Sequence, residues 1–349
     1  MSLLWPLLAP GQRWEGAEVV ALVQAGYHLE EMAPVVDRLV SGGFRATAVG
    51  LEPPAERWRR LRPHWRRWQE TRRAAERVGL RPAGGPLEPD RVLTSATVLL
   101  TASDWGTSLP LVESAQRGGI PVVAKIEGVQ DFDDLDTGRR RDPYRRADMV
   151  LGNGPADAEH LLVRDVQVVG NVRLERLRSG PAAHRSGLTV VNTNFTYGVL
   201  TEHRQPWLQS VTAAARDAGV RFVVSRHAAE RGWVDPRLVT RERAARLLRR
   251  ADRLVTRFST LVLEALALGV EVIYHNPHRE RSIHYLEPRG AFPVTTTTER
   301  LTAALRRPVA SPEEVRARAA AFLDHHVDVR PGRPAVARTA EAVVSAMRR

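Results

Sequence analysis

The chain has 349 residues, a net charge of +12 at pH 7, 43% hydrophobic residues and no cysteine. That length suits two ordinary cores and that composition excludes a disordered chain. No run approaches the roughly 20 apolar residues of a membrane span, and the proline-broken start, Met1 to Pro10, lacks a basic leader, so a cytoplasmic protein is expected. The lack of cysteine excludes disulfides, thiolate metal sites and a cysteine nucleophile.

Of the 52 basic residues, 51 are arginine and Lys125 is the one lysine. A skew this uniform is chain-wide rather than a local adaptation to phosphate backbones, so no nucleic acid is expected as a partner. It favours anionic ligands in general: nucleotides, diphosphates and anionic head groups. A lysine kept among so many arginines also suggests a place that needs a compact ammonium.

The first half alternates short apolar runs with helical stretches, the pattern of βαβ units on a parallel sheet. Strands are predicted at Val19 to Ala25, Ala46 to Leu51, Thr97 to Ala102, Pro121 to Ile126, Met149 to Leu151 and Val166 to Val169, a sheet of about six. Helices are predicted at Glu30 to Leu39 and Pro110 to Arg117. From Asn171 to Ser186 the periodicity lapses around Gly180 and Pro181, which reads as an interdomain linker. The pattern then restarts. Strands are predicted at Leu188 to Val191, Phe222 to Val224, Leu254 to Thr256 and Val270 to Tyr274, with helices at Trp207 to Asp217, Arg241 to Arg250 and Thr260 to Leu268. The expected domains are 1–175 and 187–330, with 331–349 holding an amphipathic helix, Ala335 to Met347, that crosses back to the first.

Ligands of open parallel sheets sit beyond the carboxyl ends of the strands. In the second half, Ser259 and Thr260 end a strand and open a helix, placing hydroxyls and backbone N–H groups where a diphosphate would sit, and Glu264 one turn on suits ribose hydroxyls. The competing reading is a plain N-cap. Arg226 and His227 follow another strand and suit phosphate oxygens or a base edge, whereas Glu230 and Arg231 read as solvated loop charges. Asn194, in the loop Asn192 to Gly198, suits phosphate or the transferred group. Neither a Walker A sequence nor a complete G-x-G-x-x-G is present, which counts against kinases, P-loop ATPases and ordinary dehydrogenases.

In the first half, His28 and Glu127 each follow a strand and are candidates for the general base that takes a proton from an acceptor hydroxyl. Asp131, Asp133, Asp134 and Asp136 would suit a divalent cation, but they stand beside Arg139 to Arg141 and read as a solvated, neutralised cluster, so neither a metal site nor a cofactor is expected. Within Glu56 to Arg77, Trp58, Leu61, Trp65 and Trp68 share one helical face among arginines. The stripe reads either as an anchor lying on the inner membrane surface or as a face packed on its own sheet.

Three segments of the second half carry a resemblance: Val224-Ser225-Arg226-His227-Ala228-Ala229-Glu230-Arg231, Ala251-Asp252-Arg253 through Phe258-Ser259-Thr260, and Leu263 to Val270. In the first half, Tyr144 to Gly154 and Val168 to Leu174 add to it. The chain resembles the GT-B glycosyltransferase superfamily, near CDP-glycerol-type glycerophosphotransferases, capsular polysaccharide transferases and UDP-N-acetylglucosamine 2-epimerases. The resemblance implies an α/β fold of two Rossmann-like parallel-sheet domains facing a central cleft. It also implies that the second domain holds a nucleotide-activated donor near Arg226, His227, Ser259, Thr260 and Glu264, and that the first binds a glycan, lipid-linked or small-molecule acceptor. Glycerophosphotransferases place a His-Gly pair where this chain has Glu127-Gly128, so their base does not carry across. The expected activity is sugar transfer from a nucleotide-diphosphate-sugar. The alternatives are glycerophosphate transfer, 2-epimerisation of a UDP-sugar, and a non-catalytic nucleotide-sugar or nucleic-acid binding protein.

Overall fold

The computed structural model describes the chain except for residues 1–2, 53–61, 86, 131–132, 162–164, 197–198, 228–229, 231 and 241. It divides into two compact units, the first comprising Met1–Gly128, Asp142–Arg173 and Asp328–Arg349, the second Val129–Arg141 and Leu174–Val327.

Unit 1 is built on an eight-stranded sheet of β1 (Leu3–Leu8), β2 (Val19–Val23), β3 (Ala46–Glu52), β4 (Arg81–Pro82), β5 (Val98–Thr101), β6 (Val122–Lys125), β7 (Met149–Gly152) and β8 (Val166–Val168), in the order β4-β1-β3-β2-β5-β6-β7-β8. Six of these are the parallel strands expected from the sequence. The other two, β1 and β4, pair antiparallel at one edge and correct the count. Pro6 disguises β1. Its carbonyl is bonded on the β4 side, by Ala83, so its missing N–H falls on that short edge, where a proline is tolerated.

The period of two assigns the faces. Val19, Ala21, Val23, Leu100 and Leu151 pack under α1 (Gly26–Ser41), the end of α2 (Arg62–Arg77) and the C-terminal helix of the chain, whereas Val20, Leu22, Leu99 and Val122 pack under α3 (Pro89–Leu93) and α4 (Leu109–Arg117). Helix α5 (Pro155–His160) follows β7, and α6 (Val172–Ser179) fills half of the segment expected to be the interdomain linker. The boundary between the two units falls within this segment, between Arg173 and Leu174, and its polarity is that of a helix with three arginines. Trp68 is buried in unit 1, where its ring lies against Gly50 and 6.2 Å from the Trp5 ring. A side chain at Gly50 would collide with it, since a Cβ there would stand 2.8 Å from the indole. Trp68 therefore belongs to the sheet and not to an exposed stripe; Trp58 and the side chain of Trp65 lie outside the described residues.

Unit 2 has a smaller parallel sheet of β9 (Thr189–Asn192), β10 (Phe222–Ser225), β11 (Arg253–Thr256), β12 (Glu271–His275) and β13 (Val294–Thr295), in the order β10-β9-β11-β12-β13. The two-residue β13 was not expected. Val191, Val224, Val255 and Ile273 form one core with α7 (Arg204–Asp217) and α11 (Thr298–Arg306). The opposite face carries α8 (Ala244–Leu248) and α9 (Leu261–Ala267), with α10 (Ile283–Leu286) and α12 (Pro312–His326) completing the unit. The last helix, α13 (Ala335–Met347), packs on α1 within unit 1. Among the described residues no helix is long and apolar enough to cross a membrane.

Candidate functional site

In unit 1 the strand order reverses between β2 and β5, and the loops beyond these strands and their neighbours β6 and β7 carry the polar groups. The structure brings the two candidate bases together: His28 Nε2 contacts Glu127 Oε2. The Gln24 N–H donates to His28 Nδ1 at 3.3 Å, so the imidazole proton sits on Nε2 and faces the carboxylate. His28 is 3% exposed and Glu127 30%, so Glu127 is the more exposed of the two, although its Oε2 is buried.

Beneath them Lys125 is buried. Its ammonium donates to Asn153 Oδ1 at 2.6 Å and to the Ile126 carbonyl at 2.7 Å, and stands 3.6 Å from Glu31. Glu31 in turn accepts from the first backbone N–H groups of α6, at Val172 and Arg173. Asn171 Nδ2 donates to Asn153 Oδ1 at 3.1 Å and to the Glu127 carbonyl at 3.4 Å. One buried network therefore joins the ends of β6 and β7 to the backbone of Glu127. Burial lowers the Lys125 ammonium below its ordinary pKa, and Glu31, Asp157 and Glu127 offset this only in part. Burial also raises the Asp157 carboxyl to about 6, against the N–H of Asn153 that it accepts.

In unit 2 the order reverses between β9 and β11, and the predicted donor residues line three adjacent strand ends. Asn192 Nδ2 donates to the Ser225 carbonyl, knitting the β9 end to the β10 end, and Asn194 Nδ2 donates to the Phe258 carbonyl, knitting it to the β11 end. Asn194 itself has φ 44°, a conformation asparagine tolerates better than most residues. Ser259 Oγ accepts from the Leu261 N–H at 3.2 Å, the local turn that an N-cap reading anticipates, and Thr260 Oγ1 accepts from the Val129 N–H at 3.1 Å. Each hydroxyl keeps its own proton to donate. Helix α9 runs only from Leu261 to Ala267, so the case for an anion here rests on these side chains rather than on a long helix dipole.

Arg226 is half-buried, with Nη2 donating to the Glu230 carbonyl at 3.0 Å and Nε buried without a hydrogen-bond partner among the described residues. His227 beside it is half-buried too. Glu264 is buried within α9, near enough to Tyr285 to help hold that phenol above its ordinary pKa, chiefly a result of burial, so it offers a ligand little surface. Glu230 corrects the expectation of a solvated charge: it is buried, with Oε1 2.5 Å from Arg204 Nε and Oε2 accepting from Thr193. Arg231 and Asp131 lie outside the described residues. Asp134 and Asp133 are paired with Arg141 and Arg140.

Two residues that sequence reasoning missed organise this edge. Arg257 lies over the Phe195 ring, donates to the Asn194 carbonyl at 3.0 Å and pairs with Glu280 through Nε at 2.6 Å. Glu280 also accepts from the Phe258 N–H at 2.8 Å, from the Tyr274 hydroxyl and from His278. Burial by itself would raise the Glu280 pKa, but His278, Arg257 and Tyr274 together bring it down to about 2. The available signal was position: Glu280 closes the loop beyond β12, a strand end of the same kind as the others.

No protein-family model and no curated protein matches the chain. Solved structures do match. The UDP-GlcNAc 2-epimerase of Methanocaldococcus jannaschii, in complex with UDP-GlcNAc and UDP, aligns with a TM-score of 0.58 at 11% identity, over 94% of this chain and 99% of that one. The UDP-GlcNAc 2-epimerase of Neisseria meningitidis, bound to UDP-GlcNAc, aligns with a TM-score of 0.57 at 11% identity over the same shares. The wall teichoic acid polymerase TagF aligns with a TM-score of 0.53 at 9% identity, over 95% of this chain and 89% of that one. Likeness at such low identity speaks to architecture, and with two Rossmann-like sheets in tandem, the first parallel except at its β1–β4 edge, the chain has the GT-B fold.

Proposed function

We propose that the protein is a glycosyltransferase that takes a sugar from a nucleotide-diphosphate-sugar held by unit 2 and passes it to a hydroxyl of a glycan or lipid-linked acceptor bound by unit 1. The observation that carries this reading is the His28–Glu127 pair, a partly exposed carboxylate beside a buried imidazole at the order reversal of a Rossmann-like sheet. Glu127 takes the acceptor proton as the acceptor oxygen bonds to the anomeric carbon and the bond to the diphosphate breaks. His28, donating from Nε2, is the positioning residue for that carboxylate. In unit 2, Arg226 meets the charge of the departing diphosphate, with Asn194, His227, Ser259 and Thr260 as further donors. That two fold neighbours bind UDP-GlcNAc supports a donor of this class.

The test is incubation with UDP-, GDP- and CDP-linked donors, with and without acceptor glycans, following released nucleotide and the fate of the sugar. Acceptor-dependent release supports transfer. Interconversion of a UDP-sugar without acceptor would replace this reading with epimerisation, turnover of CDP-glycerol with glycerophosphate transfer, and tight nucleotide binding without turnover with a binding protein.

A further inference from the structure

Among the described residues the exposed large apolar side chains are Tyr27, Val40, Val78, Trp105 and Trp233. Two of the three aromatics stand just beyond β2 and β5, Tyr27 in the first turn of α1 and Trp105 on the loop after β5, and these strands flank the order reversal in unit 1. The segments beyond the two strands are tied together: Ser103 Oγ donates to Gln24 Oε1 at 3.2 Å, and Gln24 Nε2 donates to Thr107 Oγ1 at 3.3 Å. T-shaped contacts fix both ring planes, Tyr27 on His28 at 4.7 Å and 80°, Trp105 on the buried Tyr144 at 4.9 Å and 66°. The Trp105 carbonyl is held by Ser108 Oγ at 2.7 Å, with Gly106 turning the chain at φ 64°. Rings held this firmly yet left over 40% exposed are surface kept for a ligand.

The charge of these loops narrows its chemistry. Segments 24–28, 102–107, 126–128 and 153–154 hold no arginine in a chain with 51, and Lys125 just before them is buried. Arg145 and Arg146 follow Tyr144, the residue the Trp105 ring meets, in the run leading into β7, with the backbone N–H of Arg146 donating to Asp104. A phosphate-bearing acceptor would require cations here. A neutral pyranose requires what is present: π faces for its C–H groups, and amide, hydroxyl and carboxylate groups for its hydroxyls.

The geometry points to Tyr27 and Trp105 as a stacking platform for neutral sugar residues of the acceptor, presenting a hydroxyl to Glu127. The assignment rests on the transfer reading and deepens it, since it names a neutral sugar rather than an anionic polyol-phosphate chain as the acceptor.

Saturation-transfer NMR and calorimetry on the full chain, with maltohexaose, cellohexaose, chitohexaose and poly(glycerol phosphate) as probes, test this. At least one neutral oligosaccharide should bind. Tyr27→Ala and Trp105→Ala should each weaken it by about tenfold, while Tyr27→Phe and Trp105→Phe restore most of the affinity. Nucleotide-diphosphate affinity, measured on the same variants, should not move, and the melting temperature should fall by no more than a few degrees as the ring contacts on His28 and Tyr144 are lost. Three outcomes overturn the platform: no neutral oligosaccharide binds, binding ignores both rings, or poly(glycerol phosphate) is the probe that binds. Failure of the transfer reading looks different, with oligosaccharide binding that depends on both rings but no turnover of any nucleotide-sugar.

Discussion

Replacing Glu280 with glutamine removes one buried charge and tests whether the loop Arg257 to Thr260 is held by it. The carboxylate sits at about 2 instead of its ordinary 4.5, and a drop of that size amounts to about 3 kcal/mol of stability at neutral pH. Because the folded value is depressed, that stability is present above pH 4.5 and is lost as pH falls towards 2. In Glu280→Gln the Arg257 guanidinium stays buried without its counter-charge, which costs about 3–5 kcal/mol. For a unit of this size the cost should appear as a fall of about 10 °C in melting temperature at pH 7. The gap between parent and variant should then close as pH drops from 4.5 to 2. His275, held near 4 by burial, titrates in both proteins and cancels in the difference. Calorimetric melting of the full chain at several pH values reads both effects. A variant that melts within about 1 °C of the parent at pH 7, or a gap that does not change with pH, would refute the role given to the pair.

Glu127→Gln should lower turnover by about 10²- to 10⁴-fold with nucleotide affinity unchanged, and His28→Ala should lower it less, as befits a positioning residue; steady-state kinetics beside calorimetry would show it. Arg226→Ala should weaken nucleotide-diphosphate binding more than Ser259→Ala combined with Thr260→Ala, because a charge-assisted contact is the stronger. Equal losses for nucleoside and diphosphate would remove its phosphate role. Trp68→Ala should cost about 3–5 kcal/mol as a cavity forms beside Gly50 and Trp5, with no effect on binding to anionic vesicles; a loss of vesicle binding at unchanged stability would return Trp68 to the surface.

Much of the architecture was legible in the sequence because periodicity is a local property. The apolar runs Val19 to Val23 and Val122 to Ala124 declare strands wherever they end up, and Ser259 and His28 mark where such strands give way to the next element. Pro6 hid β1, and the two-residue β4 and β13 are too short to carry a period. The buried partnerships were out of reach for a different reason. Whether His28 meets Glu127, Lys125 meets Glu31, Arg204 meets Glu230 or Arg257 meets Glu280 depends on which strands lie side by side, and strand order is set by packing across the whole sheet. Local sequence therefore placed Lys125, Glu127 and Arg257 at or beyond strand ends and Glu31 in a helix. Only the tertiary structure decided which of them are buried, which pair, and that Glu127 is the more exposed member of its pair with His28.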